Sequence, residues 1–537
     1  MALVCAGGCG AGWAVGAFGR VCLAGAVAAP LLGAAVTVAS RVRRQAGARA
    51  GVALHWAGAV LAGALVPVVA VHGTVDVGVD AGGRAVAGLT ADHLTVMLMV
   101  LVLGIGALVQ SFSLRYLRND PRSSRFSSGA GVLVASMAVV AASTTLVGLL
   151  VGWVLASAGF LVVAGYRPDL PGVGPSVRRA AAAFLVGDGA LVAATGIVAS
   201  RAGNVALIGP SPLSHAAARL GGTGTLVALL VVAAALARCA QGPFSPWLPG
   251  TVAAPTPVSA LLHAGFVNGG GILLVRLGAL ASDSAVAMVV AFVLAAATAV
   301  GATSVMSQRA DVKSELAYST MGQMGFMVAE VTVGALGAGL VHLVGHALYK
   351  ATLFLGSGGR IRRPGRTEPE PDRRPTASRV FLAAVAGLTA AAVVLVLSGH
   401  RGDGPLAFFV AATAGVGAWS FGAVHQRVPA AFGAGLVAAA GGLYALVAAA
   451  LVAWVGPGLA PVGSAVLSPW LLLAVAAGAG TVALALRAPV VGPRLRVALI
   501  AAGAPAPGAG QRLGTPSPVS LLPPRPAVGV VPVRSVA

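Results

Sequence analysis

The stretch His342-Leu-Val-Gly-His346-Ala-Leu-Tyr-Lys350 lies inside an apolar segment, residues 335–358, that is long enough to cross a bilayer. Its three ionisable residues are spaced i, i+4, i+8. On an α-helix that spacing lines them up along one stripe of about 12 Å, at roughly 1.5 Å per residue. Ionisable groups are costly in lipid, so each one inside a span is a functional candidate. Histidine titrates near neutral pH, and a lysine withdrawn from water can release its proton. A row of such groups within a membrane is what a proton relay needs. The competing reading is a polar stripe that only hydrogen-bonds a neighbouring helix; three groups in register favour the relay.

Composition fits this setting. Of 537 residues, 58% are hydrophobic and 9% charged, against roughly 25% charged in soluble domains. The expected fold is an all-α integral membrane protein with about 13–15 transmembrane helices. Candidate spans are 11–39, 51–73, 86–113, 130–149, 150–166, 179–200, 223–248, 256–280, 285–307, 312–333, 335–358, 379–398, 405–424, 429–455 and 466–486. The formal net charge of +21 suggests nucleic acid at first sight. The arginines, however, cluster between spans, from Arg41–Arg49 and Arg115–Arg125 to Arg360–Arg374, each group after an odd-numbered span. That is the positive-inside pattern. It predicts a multi-pass protein of the cell (plasma or inner) membrane, N-terminus outside and C-terminus cytoplasmic, with no nucleic-acid partner.

Residues 359–378 are polar, charged and proline-rich and read as a cytoplasmic loop, whose Glu368, Glu370 and Asp372 are solvated partners of nearby arginines. From Arg487 onward Pro, Gly and Ala dominate, which reads as a disordered tail. The expected organisation is N-terminal spans over 1–128, a conducting core over 129–358, the loop, C-terminal spans over 379–487, and the tail over 488–537. Cys5, Cys9, Cys22 and Cys239 show no metal-ligand spacing, so neither a zinc site, an iron–sulfur cluster nor any other cofactor is expected. The glycine runs lack the context of a nucleotide loop.

Other ionisable residues concentrate between Asp188 and Lys350. Of 35 basic residues only Lys313 and Lys350 are lysine, and lysine, unlike arginine, can release a proton. Arg238 stands shortly before Pro243 in Ala237-Arg-Cys-Ala-Gln-Gly-Pro243. Proline there predicts a broken helix of the kind that builds ion sites in transporters. In Pro255-Thr-Pro-Val-Ser-Ala-Leu-Leu-His263-Ala-Gly-Phe-Val-Asn268-Gly-Gly-Gly271, three glycines predict irregularity or close helix contact. His263 is a relay group or a packing residue. Asp188 is an acid within a span, expected to pair with a basic group such as Arg238. Asp92 and His93 are expected near the surface, Glu330 at the interface, and Asp311 and Glu315 at the start of a span where acids suit the helix dipole.

Four ordered blocks, Ala237–Pro249, Pro255–Gly271, Asp311–Phe326 and His342–Gly358, together resemble the antiporter-like subunits of respiratory complex I and the Mrp sodium/proton antiporters. The resemblance covers roughly residues 90–360. Within that superfamily the wording AGFVNGGG and STMGQMGF is most similar to the DabB subunits of inorganic carbon transporters. The resemblance implies a proton relay of Lys350, His346, His342, His263, Arg238 and Asp188, with the helix break at Pro243. It further implies transport of protons or another monovalent cation, and a DabA-like partner that carries the zinc and converts carbon dioxide to bicarbonate. No catalytic activity of the chain's own is then expected. The alternative is a proton-pumping subunit of NADH-quinone oxidoreductase or a subunit of an Mrp-type antiporter. Three departures bear on the choice: Gly152-Trp153-Val154-Leu155 lacks the glutamate of the complex I motif, Arg238 stands where that family has a lysine before the broken helix, and residues 379–487 contain no lysine.

Overall fold

Lipid offers no hydrogen bonds to the backbone, so an apolar stretch in it must close its own as a helix. The computed structural model follows that constraint; it describes residues 5–40, 44–81, 84–207, 211–309, 311–360, 491–503 and eleven positions between 439 and 456. Long helices α1 (Cys5–Ala39) and α2 (Arg44–His72) pack on one another, followed by strands β1 (Val75–Ala81) and β2 (Arg84–Ala91). Then come α3 (His93–Tyr116), α4 (Ser123–Ala142), α5 (Leu146–Ala164), α6 (Val173–Ala202), the short α7 (Ser211–Arg219) and α8 (Gly224–Arg238). Short pieces α9 (Trp247–Gly250), α10 (Thr256–Ala264), α11 (Gly269–Arg276) and α12 (Gly278–Ala281) precede α13 (Ala285–Met306), α14 (Val312–Thr332) and α15 (Leu336–Arg360); α16 is Val491–Gly503.

Among the described residues ten helical segments are long and apolar enough to cross a membrane, with α10 and α11 counted as one. The helix α14 is of spanning length but more polar, with Lys313, Glu315, Gln323 and Glu330 on it. Val60, Leu185, Val192 and Val293 are at least half exposed, as expected of helices whose outer surface meets lipid rather than water. The chain is a multi-pass helical membrane protein. Its most enclosed segment is Thr256–Arg276, which carries His263 and Asn268.

Several expectations change. The stretch 86–113 begins as a strand: β1 and β2 form an antiparallel hairpin with Val77 opposite Leu89. Its outer edge is bonded by the α4–α5 junction, where Thr144 N donates to Gly88 O at 3.0 Å, and Leu207 N in turn donates to Thr144 O at 2.7 Å. The break between α4 and α5 falls at Ser143–Thr145, where Thr145 caps α5 by accepting from Gly148 N at 3.2 Å, not at residues 149–150. The span begun at 223 stops at Arg238, ten residues early. Residues 491–503, assigned to the tail, form a helix, because Val491-Gly-Pro-Arg-Leu-Arg-Val-Ala-Leu-Ile holds a short helix-forming run after its proline. The loop 359–378 (beyond its first two residues), the spans 379–398, 405–424 and 466–486, most of 429–455 and the tail beyond 503 lie outside the described residues, as do the side chains of Cys5 and Cys9.

The loops after α3 and α5 meet at the end of the bundle opposite the hairpin. Arg167 bonds Asp120 at 2.9 Å and Asp169 at 2.7 Å, and Arg122 also pairs with Asp169. Hydrogen bonds from Arg167 hold the Asp169 carboxyl down to about 2. Two arginine-bearing loops, each after an odd-numbered span, therefore share one face.

Close helix contact in the centre depends on the glycine run. A Cβ at Gly270 would fall on the Ala235 carbonyl oxygen and Cys239 Sγ, and one at Gly271 on Met327. Gly270→Leu is expected to cost about 1–3 kcal/mol by overpacking, read as a lower melting temperature of the purified protein, whereas Gly189→Leu, where a Cβ meets nothing within 4 Å, leaves it unchanged.

Candidate functional site

The break after α8 builds the first half of the site. Proline at 243 cannot continue a helix, and the chain leaves helical geometry four residues earlier, with Ala240 in the left-handed region at φ 53° and Gly242–Pro243 cis. The freed backbone groups are taken up locally. Gln241 N donates to Leu236 O at 2.9 Å, Trp247 Nε1 to Ala237 O at 3.0 Å, and Gly242 N to Thr298 Oγ1 at 3.0 Å. Gln241 Nε2 donates to Cys239 O at 2.7 Å and Met321 O at 3.3 Å, which ties the break to α14.

Arg238, on the last helical residue, is 1% exposed. Its Nη2 donates to Trp153 O at 3.1 Å, Ser157 Oγ at 2.9 Å and Asp188 Oδ1 at 3.3 Å. The guanidinium lies 3.8 Å from the Trp153 ring centroid and 4.3 Å from that of Phe266, a planar stacking that lysine cannot reproduce. The structure thus brings Arg238 and Asp188 together. The stretch Gly152–Leu155, which lacks an acid, contributes a ring and a carbonyl to the cation, and the carboxylate comes from α6 instead.

The second broken segment carries His263. Pro257 fits the first turn of α10, where no backbone donor is needed. The helix then breaks at Gly265, and α11 resumes after Asn268. His263 is fully buried and stacks on Phe354 of α15, centroids 4.5 Å apart. Neither of its ring nitrogens has a hydrogen-bond partner. Asn268 Nδ2 donates to Ala264 O at 3.0 Å, which leaves its oxygen to face α15.

The stripe on α15 completes the arrangement. Lys350 is 0% exposed and its Nζ donates to Leu316 O of α14 at 3.2 Å. One turn away, His346 Nδ1 is 3.2 Å from Asn268 Oδ1. With that nitrogen donating, Nε2 is the acceptor, and it has no protein partner. His346 interacts electrostatically with Lys350, His342 and His263. The His342 and His346 rings are 6.4 Å apart, and His342 Nδ1 lies 3.0 Å from Glu330 Oε2. Glu330, expected at the interface, stands on the last turn of α14 and is fully buried, because the end of α14 is covered by α15. Lys313 sits apart, donating to Ala254 O at 2.9 Å. Asp92 caps α3, accepting from Thr95 N at 2.7 Å.

Lys350, His346, His342 and His263 thus share the α10–α14–α15 region, while Arg238 and Asp188 form a separate cluster with α5. Sequence reasoning placed Glu330 at the interface without a role, and did not single out Arg276 of α11, whose guanidinium donates to Ser143 O. The signal for both was an ionisable residue inside an otherwise apolar run. Among the described residues no group of three His, Cys, Asp or Glu is placed to hold a metal.

Asp188→Asn removes the carboxylate partner of a buried guanidinium. Breaking such a pair costs about 3–5 kcal/mol, so the melting temperature is expected to fall clearly, and Arg238→Met combined with Asp188→Asn is expected to recover part of the loss.

These features coincide with known proteins. The family described as NADH:quinone oxidoreductase/Mrp antiporter, transmembrane, matches residues 142–411, half of the chain. The N-terminal family of complex I chain 5 matches residues 82–127. A probable inorganic carbon transporter subunit DabB1 of Halothiobacillus neapolitanus is 34% identical over 326 residues, 58% of this chain and 58% of that protein. NADH-quinone oxidoreductase subunit L of Mycobacterium tuberculosis is 30% identical over 348 residues, 62% of this chain and 55% of that protein. The chain therefore spans 50–58% of the length of the first curated relatives it matches. The Mrp complex from Dietzia sp. shares the fold, with a TM-score of 0.60 at 24% identity, covering 90% of this chain and 59% of the matched one. The chain belongs to the NADH:quinone oxidoreductase/Mrp antiporter family.

Proposed function

We propose that this chain is the proton-conducting membrane subunit of an energy-coupled inorganic carbon transporter, working with a separate zinc-bearing, DabA-like subunit. The observation that carries the reading is the buried stripe on α15, in which Lys350, His346 and His342 each meet a polar group from α10–α14. A proton on Lys350 passes to His346 Nε2 and on to His342. The two histidine ring centroids are 6.4 Å apart, and the step between them passes through a bridging water. His263, stacked one helical turn beyond Lys350, is a side branch that joins this stripe to the segment leading towards Arg238. The guanidinium stays protonated, so Arg238 and Asp188 act as a fixed ion pair that biases the field rather than as carriers. The arginine-rich loops face the cytoplasm in this reading, with the hairpin outside.

The identity to DabB proteins supports the carbon substrate and the partner. A second reading, a proton-pumping subunit of NADH-quinone oxidoreductase, is supported by the subunit L relative. Purification separates the two: the first expects a large zinc protein to co-purify, the second a set of quinone- and iron–sulfur-bearing subunits.

Lys350→Ala is expected to lower proton flux through proteoliposomes of the purified complex by at least tenfold, and to abolish growth in air of a carbonic-anhydrase-deficient host that the wild-type pair rescues. Unchanged flux in that variant sinks the relay. A single cysteine at Arg118 is expected to react with a membrane-impermeant thiol reagent only from the cytoplasmic side, and one at Gly73 only from outside; the reverse overturns the orientation.

A further inference from the structure

Glu330 sits on the last turn of α14. Its backbone carbonyl accepts Ala335 N at 2.9 Å across the turn that Gly334 makes at φ 82°. The residue is therefore about one helical turn from the α14–α15 loop, yet its side chain is fully buried. Oε2 lies 3.0 Å from His342 Nδ1, while Oε1 has no partner.

A carboxylate is a poor choice for stapling two helices. The cost of desolvating both charges offsets most of their attraction, and an amide at this place would make the same hydrogen bond without it. An acid with one oxygen on a relay histidine and the other uncommitted is suited to moving a proton. Length points the same way. The histidine–lysine stripe covers about 12 Å, whereas the hydrocarbon core is about 30 Å thick. The residues of α14 engaged at its two ends, Leu316 by Lys350 and Glu330 by His342, are about 21 Å apart along that helix. Glu330, on the last turn of α14, brings the thread one hydrogen bond beyond His342 and to about one helical turn from a loop.

We propose that Glu330 is the terminal proton-carrying group of the thread, exchanging protons between His342 and the water at the α14–α15 loop. The inference rests on the proton-conducting reading above. In the transfer the N–H bond of a protonated His342 breaks and an O–H bond forms at Glu330 Oε2. A cation and an anion become a neutral imidazole and a neutral carboxylic acid. Rotation about Cγ–Cδ turns the proton away from His342, and its release to water restores the carboxylate. The reverse sequence loads the thread from the same side.

The test compares the complex carrying Glu330→Gln with wild type and with Lys350→Ala in proteoliposomes, with proton flux read by an internal pH dye under an imposed membrane potential. Glu330→Gln keeps the hydrogen bond and the volume but cannot exchange a proton through a carboxyl. Flux is expected to fall at least tenfold, with wild-type accumulation and melting temperature. Infrared difference spectra after a pH jump are expected to lose a deuterium-sensitive protonated-carboxyl band in this variant. Flux within twofold of wild type in Glu330→Gln, alongside a dead Lys350→Ala, overturns the role of Glu330 and leaves the relay standing. Wild-type flux in Lys350→Ala instead sinks the relay itself. Should Glu330→Gln fail to accumulate, Glu330→Asp is measured in its place: the shorter acid is expected to cut flux several-fold, and wild-type flux overturns the inference.

Discussion

A charge or polar group held inside a membrane protein must find its partner within the protein, because lipid supplies none. The clearest answers to that constraint in this chain are at Arg238, Lys350 and His346. Arg238 is lodged between two aromatic faces and bonded to a carbonyl, a hydroxyl and a carboxylate. Lys350 and His346 reach a carbonyl and an amide that exist in those places because neighbouring helices are positioned, or broken, to present them. The two helix breaks are thus part of the solvation of the site rather than defects in the scaffold.

Much of this was legible in the sequence where a physical rule left little choice. The i, i+4, i+8 spacing of His342, His346 and Lys350 forces them onto one face, and the proline at 243 removes a backbone donor that a continuous helix would use. Each of the first eleven predicted spans coincides with helix, continuous in most and broken in 256–280, because a long apolar run in lipid must close its own backbone hydrogen bonds. What escaped notice was of a different kind. The hairpin at Val75–Ala91 consists of short alternating strands beside a strongly apolar helix, and a window long enough to find a span blurs the two together. The α4–α5 break is marked by the Thr145 hydroxyl, which caps α5, and the Ser143 hydroxyl, which donates to Thr145 O, rather than by glycine or proline. The depth of Glu330 depends on how α15 covers the end of α14, which is a property of packing and not of spacing.

The polar groups divide into two clusters with different chemistry. Around Arg238 one guanidinium nitrogen, Nη2, meets a carbonyl, a hydroxyl and a carboxylate, and two aromatic rings lie close to the cation, which suits a permanent charge. Around His263 and His346 ring nitrogens are left without protein partners, which suits groups that change protonation. Histidine and lysine are concentrated in one cluster and arginine in the other, in line with their different capacity to lose a proton.

The two interrupted helices are also joined to each other. Cys239 Sγ donates to Val267 O at 3.3 Å, and the missing side chain at Gly270 lets the end of α8 press directly on the start of α11. The chain that carries the guanidinium and the chain that carries the Asn268 amide are therefore seated backbone against backbone, so that the two clusters, electrically distinct, share one seam.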